Sequence, residues 1–293
     1  MTSNRILYGI APAKLNLFLH ITSQRADGYH CLQTIFQFLD FHDCLSGELR
    51  EDGEIECDTS ASLPMTQNLV YRAAQLLKHY SGSPWGATLR VTKKIYMGGG
   101  LGGGSSDAAT TLLLLNQLWQ LEFSKTTLAA LGIKLGADVP IFIHGQAAWA
   151  EGVGEVITPI RLPEPWYVVI HPNCHVATKD VFTAPELPRN CPPITLQDYH
   201  AGHARNVCEA VVRSRYPAVD AALTWLARYG DARMTGTGAS VFAAFEQRAA
   251  AEAVLSELPE IWTGFVAQGK NRIENQVTAM PSHLFRETDV TVV

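Results

Sequence analysis

None of the six cysteines (Cys31, Cys44, Cys57, Cys174, Cys191 and Cys208) belongs to a C-x-x-C pair, and none stands beside histidine at zinc spacing. That excludes a sequence-encoded zinc ribbon or redox pair. A chain of 293 residues buries enough surface to need no disulfide staples, so the thiols read as reduced, in a cytoplasmic protein. Runs of Lys and Arg are missing too: 23 basic against 28 acidic side chains leave a net charge of −5. No nucleic-acid or anionic-membrane surface is encoded, and any phosphate site has to be local. The longest aliphatic run, Leu112–Leu115, is far too short to span a bilayer. Residues 1–10 lack the basic and apolar regions of a signal peptide. With no plastid-type leader either, the expected setting is a bacterial cytoplasm. Charged residues are few, 17% against 47% hydrophobic, which excludes extended disorder.

What is present is patterned. From Ala13 to Ile21, Leu15, Leu17, Leu19 and Ile21 alternate with Lys14, Asn16, Phe18 and His20, predicting a strand with one face on a core. Asn68 reads as the N-cap of a helix whose buried stripe is Val70, Ala73, Ala74 and Leu77. Thr88–Thr92 alternates again, with Leu89 and Val91 inward. An apolar helix is predicted from about Asp107 to Trp119, and another near Thr126–Leu135. A hairpin is predicted from Ala147–Ala150 and Glu155–Thr158, and a buried strand at Tyr167–Ile170. Four prolines between Pro185 and Pro193 exclude regular structure there. Helices are expected at Val207–Ser214 and Val219–Tyr229, then a small-residue turn from Thr235 to Ser240 and a strand at Val241–Phe245. A domain boundary is expected near Thr158, giving units 1–158 and 159–293.

One segment carries chemistry: Met97-Gly98-Gly99-Gly100-Leu101-Gly102-Gly103-Gly104-Ser105-Ser106. Glycine permits positive φ and lets a ligand approach the backbone. Running into a helix start near Ser105 or Ser106, such a loop offers convergent N–H groups to phosphate. The alternative is a flexible linker or plain turn, but linkers do not lead straight into a strongly apolar helix. A Walker loop is excluded because no lysine follows Gly104. The register Gly98-x-Gly100-x-x-Gly103, with Glu122 about 20 residues on, matches a dinucleotide fingerprint. Six glycines in seven residues satisfy almost any such pattern, however, and the preceding half-polar strand is unlike a buried Rossmann strand.

Three ordered motifs, Pro12–Leu17, Gly98–Ser106 and Thr235–Gly238, resemble those of the GHMP kinases, the galactokinase, homoserine, mevalonate and phosphomevalonate kinase group. Ala11–Leu19, Arg25–His30 and Leu135–Pro140 are similar to the members of that family that phosphorylate a cytidine diphosphate-linked methylerythritol. The resemblance spans roughly residues 11 to 270, leaving 271–293 outside it. It implies an α/β (α+β) fold of two domains, the second ferredoxin-like, with ATP and acceptor in the cleft between them. It implies ATP-dependent phosphorylation of the acceptor's 2-hydroxyl in non-mevalonate isoprenoid synthesis, by a monomer or homodimer, with no nucleic-acid or membrane partner.

By that resemblance Lys14 and Asp138 are catalytic: Asp138 accepts the hydroxyl proton, and Lys14 pairs with it and stabilises the attacking oxygen. From the residues alone, Asp138 reads rather as a helix cap beside Pro140, and a solvated edge lysine is the alternative for Lys14. ATP is expected at Met97–Ser106, with Asn68, Leu69, Val70 and Lys94 lining the adenine pocket. Asn16, Tyr29, His30, Thr178, Phe182, Gly236 and Gly238 are expected around the acceptor, Tyr29 stacking on the base. A packed loop at Tyr29-His30 and a plain turn at Gly236–Gly238 are the bland readings. Asp107 stands where many relatives have Asn. Magnesium is expected with ATP, with no ligands assigned. Other GHMP kinases, a nicotinamide- or flavin-binding oxidoreductase and a silent nucleotide-binding module remain as alternatives.

Overall fold

The computed structural model describes residues 5–59, 64–274 and 276–279. Its frame is a long antiparallel hairpin, β1 (Ile6–Gln24) and β2 (His30–Arg50), turned at Gly28, where φ is +88°. Then follow β3 (Ile55–Thr59), α1 (Leu69–Ser81) and β4 (Gly86–Thr92). The glycine loop leads into α2 (Gly103–Leu118), α3 (Lys125–Gly132) and α4 (Val139–His144). The hairpin β5 (Ala148–Glu151) and β6 (Val156–Pro159) pairs with β2.

The rest of the chain supplies β7 (Trp166–His171), α5 (Thr178–Phe182), α6 (Leu196–His200), α7 (Glu209–Arg215) and α8 (Pro217–Leu226). It ends in β8 (Arg233–Met234), β9 (Val241–Phe245), α9 (Arg248–Ser256), β10 (Thr263–Lys270) and β11 (Val277–Thr278). The sheet runs β11-β1-β2-β10-β7-β9-β8, with β4 and β5 also on β2. It is mixed: β3 and β4 are parallel and their neighbours antiparallel. The strand before the glycine loop thus sits in a largely antiparallel sheet, unlike the parallel sheet of a dinucleotide-binding fold.

Local signals place several elements where the sequence predicts them. Asn68 accepts from the Val70 N–H and caps α1, whose buried residues are Val70, Ala73, Ala74 and Leu77. Strand β9 is the predicted Val241–Phe245. The first strand departs from its prediction. Lys14, Asn16, Phe18 and His20 are as buried as the leucines, so both faces are covered. Register shifts between Pro12 and Lys14 and between Asn16 and Leu19 break the alternation. Leu15 and Leu17 therefore join one core, Leu19 and Ile21 another. Part of the tail set outside the resemblance is structured: β11 pairs with Tyr8 and Gly9 of β1.

One core forms where α1, α2 and α4 pack on β2 and β4; another where α7, α8 and α9 pack on β7 and β9. A third joins Ala13, Leu15 and Ile35 to Tyr167, Val169 and Phe265, with Phe41 stacked on Phe265 at 3.9 Å. Among the described residues no helix is long and apolar enough to cross a membrane.

Candidate active site

The glycine loop is held from both ends. At its entrance Asp43, fully buried on β2, accepts from the backbone N–H groups of Lys94 and Ile95 at 2.5 and 2.9 Å and from the Lys93 ammonium. Along its length Gly98 O and Gly99 O accept from Ala239 N and Ser240 N at 3.3 and 3.1 Å. Thr235 Oγ1 donates to Gly100 O at 3.3 Å. Gly98, Gly100 and Gly102 take φ of +71°, +73° and +74°, the region where side chains cost most. Helix α2 starts at Gly103, earlier than predicted, with Gly102 as its cap residue. The first helical bond inside the segment runs from Ser106 N to Gly102 O at 2.8 Å. The N–H groups of Gly103, Gly104 and Ser105 are therefore the open donors of the helix end, where the dipole also favours anions.

Lys14 crosses beneath this loop. Its Nζ is 3.2 Å from Asp138 Oδ2 and donates to Gly100 O at 3.1 Å and to Asn16 Oδ1. It also lies 5.4 Å from the Phe36 ring centroid. At 3% exposure it is not a solvated edge lysine. Asp138 precedes α4 but makes no side-chain cap bond, and at 36% exposure it opens to the cleft. The capping role weighed for it is not what its side chain does. Asn16 is fixed by its N–H to Thr235 Oγ1 and its Nδ2 to Thr34 Oγ1, both 2.9 Å. The first, second and third motifs therefore meet at one point.

Lys14, Asn16, Asp138 and the loop from Gly98 to Ser105 line one cleft of about 1370 Å³. Tyr29, His30, Thr178 and Phe182 also line it, and Gly236 lines it beside Asn16 and Gly100. The His30 ring stacks on Phe182 at 5.2 Å and 23°, and Tyr29 is 64% exposed at the rim. Thr178 Oγ1 lies 3.0 Å from Thr237 Oγ1. Burial, then the Arg189 charge, lowers the His30 pKa.

Three predicted residues stand elsewhere. Lys94 is exposed and outside the lining; its neighbour Lys93 turns inward instead. Ser106 is wholly buried beneath the helix start, leaving Ser105 at the surface of the cleft. Gly238 packs against Met234 and Val212 behind the turn, away from the lining. Glu122, the acid of the dinucleotide register already set aside, belongs to the α2–α3 connection and does not line the cleft. Sequence reading missed Lys93, Asp107, His175 and Arg189, which also line the cleft. Two lysines side by side gave no clue to which one faces in.

Lys93 Nζ bonds both Asp43 Oδ2 and, at 2.6 Å, Asp107 Oδ2. Burial pulls Lys93 down, but Asp107 and Asp43 outweigh it and leave it above its ordinary value. One ammonium does not neutralise two buried carboxylates. Burial, against Lys93 and reinforced by Asp43, pushes Asp107 up to about 7. The folded protein thus keeps a proton on Asp107 that the unfolded chain releases from about pH 4. The unfolded state binds fewer protons across that window, so this group's contribution to stability falls as pH rises from about 4 to 7. Asp107→Asn is expected to flatten that fall: the melting temperature of the variant, relative to the parent, rises between pH 5 and pH 8. An unchanged difference across those pH values would place the proton elsewhere.

The description "GHMP kinases N terminal domain" matches residues 68–146, and "GHMP kinases C terminal" matches 195–264. The 4-diphosphocytidyl-2-C-methyl-D-erythritol kinase of Nitrosococcus oceani is 54% identical, over 89% of this chain and 94% of that one. The enzyme of the same name from Alkalilimnicola ehrlichii is 54% identical, over 88% and 89%. A crystal structure of 4-(cytidine 5'-diphospho)-2C-methyl-D-erythritol kinase superposes with a TM-score of 0.78 at 33% identity, over 89% of this chain and 98% of that one. The homoserine kinase of Cytophaga hutchinsonii shares the fold at a TM-score of 0.64 and 16% identity, over 95% and 98%. With both family domains matched and relatives above half identity along most of its length, the chain belongs to the GHMP kinases, ATP-using small-molecule kinases, and groups with the 4-diphosphocytidyl-2-C-methyl-D-erythritol kinases among them.

Proposed function

We propose that the chain moves the γ-phosphoryl group of ATP to the 2-hydroxyl of 4-diphosphocytidyl-2-C-methyl-D-erythritol. The observation that carries this reading is the Lys14–Asp138 pair, 3.2 Å apart beside the glycine loop, in a cleft that Tyr29, His30 and Phe182 also line. At about 1370 Å³ the cleft exceeds the usual ~300–1,000 Å³ of a one-ligand pocket and has room for donor and acceptor together. Phosphoryl transfer asks a protein chiefly for positioning and charge stabilisation. The open N–H groups of Gly103–Ser105 hold the ATP phosphates, Asp138 takes the acceptor's hydroxyl proton, and Lys14 offsets charge on the attacking oxygen. Asn68 and Lys93 stand by the adenosine, and Tyr29 and Phe182 by the cytosine. Magnesium enters as the partner of the ATP phosphates, the way this ion is ordinarily held.

The division at residue 158 belongs to the same reading. The buried residues of one core lie between Leu7 and Ala150, with Ile273 and Val277 packed against them, and those of the other between Val168 and Val266 apart from Leu19 and Ile21 of β1.

Labelled ATP offered with a panel of acceptors tests the assignment. Label is expected on the cytidine diphosphate-linked methylerythritol and not on homoserine, mevalonate or galactose; efficient turnover of any of those three would refute it. Binding of NAD in place of ATP would return the oxidoreductase reading. Tyr29→Ala is expected to raise KM for the acceptor by the worth of one base–aromatic stack, about 1–3 kcal/mol.

A further inference from the structure

Arg189 lies in the proline-rich stretch between α5 and α6, where neither helix nor strand pairs the backbone. Proline has no N–H, so such a stretch has more carbonyls than donors. Arg189 supplies donors to carbonyls at its start and just before it. Its Nη2 donates to Phe182 O and Ala184 O, both at 2.8 Å, and its Nη1 to Leu187 O at 3.1 Å. Its remaining direction carries Nε to His30 Nε2 at 3.2 Å. A single guanidinium therefore joins the first residue of β2 to the end of α5, through His30 and Phe182, which lie 152 residues apart (182 − 30), stack on each other and both line the cleft.

Hydrogen-bond chemistry adds a second consequence. A guanidinium only donates, so the His30 nitrogen facing it must be the bare one. We propose that Arg189 is a positioning residue for the acceptor: it clasps His30 to the Phe182 wall and fixes the His30 imidazole as its Nδ1–H tautomer. The acceptor's identity here rests on the function proposed above; the clasp does not. The lowered His30 pKa agrees with it, since burial and the Arg189 charge both oppose a second ring proton. Protonation of Nε2 would set N–H against N–H and open the clasp. The other charged groups described at this end are Arg25 and Asp27 of the β1–β2 turn, paired with each other at 2.8 Å, Lys179 and Asp180 on α5, and Glu186 of the proline-rich stretch, which feels the Arg189 charge but is paired with Arg215 at 2.7 Å.

Three measurements on the full-length protein decide the matter. In Arg189→Met, KM for the cytidine diphosphate-linked acceptor is expected to rise about 10–100-fold, with kcat and KM for ATP near the parent's. Arg189→Lys, which keeps charge but not the fork, is expected to recover little of the loss. The pH profile of the acceptor KM should show an acidic limb that moves to higher pH in Arg189→Met, as His30 titrates nearer its ordinary value. Nitrogen-15 NMR of His30 in the ligand-free parent should find the proton on Nδ1 and Nε2 bare. A proton on Nε2 would overturn the proposal even if Arg189→Met fails to fold. So would an unchanged acceptor KM, or an equal rise in both KM values, the mark of general loosening. If the parent turns over no cytidine-linked acceptor, the substrate assignment fails, and the NMR result alone decides the clasp.

Discussion

Asp138→Asn is expected to lower kcat by about 10²–10⁴-fold, the usual worth of general-base assistance, while KM for ATP and the melting temperature stay near the parent's. The expectation of intact stability comes from the site. The Asp138 side chain caps nothing and is one-third exposed, so removing its charge strands no buried partner except Lys14, which keeps Asn16 Oδ1 and Gly100 O as acceptors. Lys14→Met keeps most of the stem against Phe36 and removes the ammonium. It is expected to lower kcat as well. It should also cost about 1–3 kcal/mol of stability, because Gly100 O and Asn16 Oδ1 lose a buried donor. An interaction made only in the transition state lowers kcat and kcat/KM together. If the 3.2 Å pair acts as one unit, the double variant is expected to fall far short of the product of the two single losses. A correctly folded Asp138→Asn enzyme with parental kcat would leave positioning alone to drive the transfer.

How much of this was legible in the sequence follows the range of each interaction. Features settled within a few residues were readable: the Asn68 cap with its stripe of Val70, Ala73, Ala74 and Leu77, the β5–β6 hairpin, and the glycine run that forces a close approach. The three motifs also announced that they belong together, since Lys14, Gly100 and Thr235 meet in space. What stayed hidden depends on partners far along the chain. Lys93 rather than Lys94 faces inward because Asp43, 50 residues away, and Asp107, 14 away, both bind its ammonium. Arg189 has no signature because its acceptors are carbonyls, which every residue carries. The alternation in β1 misled because two irregularities rotate the strand between cores, and neither has a residue type of its own. The start of α2 was placed late because glycine is a poor helix former; here the first turn is a place for bare N–H groups, not for propensity.

The loop offers the second large effect, at Gly102. Since glycine leaves the backbone open to a ligand, a valine there would, on sequence grounds, put its methyls in the path of the phosphates. The structure points them elsewhere: a Cβ on Gly102 would lie 2.9 Å from Phe142 Cζ and 3.0 Å from Lys14 Cε. Phe142 is wholly buried and Lys14 is held by Asp138 and Gly100 O, so neither yields readily. The residue also sits at φ +74°, where a β-branched side chain is strained by roughly 1–2 kcal/mol. Overpacking adds about 1–3 kcal/mol more. Gly102→Val is therefore expected to lower the melting temperature and, by displacing Lys14, to cut kcat by at least as much as Lys14→Met does. Gly104→Ala separates packing from cradling. Its Cβ meets only Leu69 Cδ1, at 3.4 Å, inside helix α2. Alanine favours that helix by about 0.5–1 kcal/mol, so the melting temperature should hold or rise. Loss of ATP binding in that stable variant then reports the ligand's approach to the backbone at Gly104. Full ATP affinity in Gly104→Ala would move the phosphates away from the first turn of α2, and parental kcat in Gly102→Val would detach Lys14 from the loop's geometry.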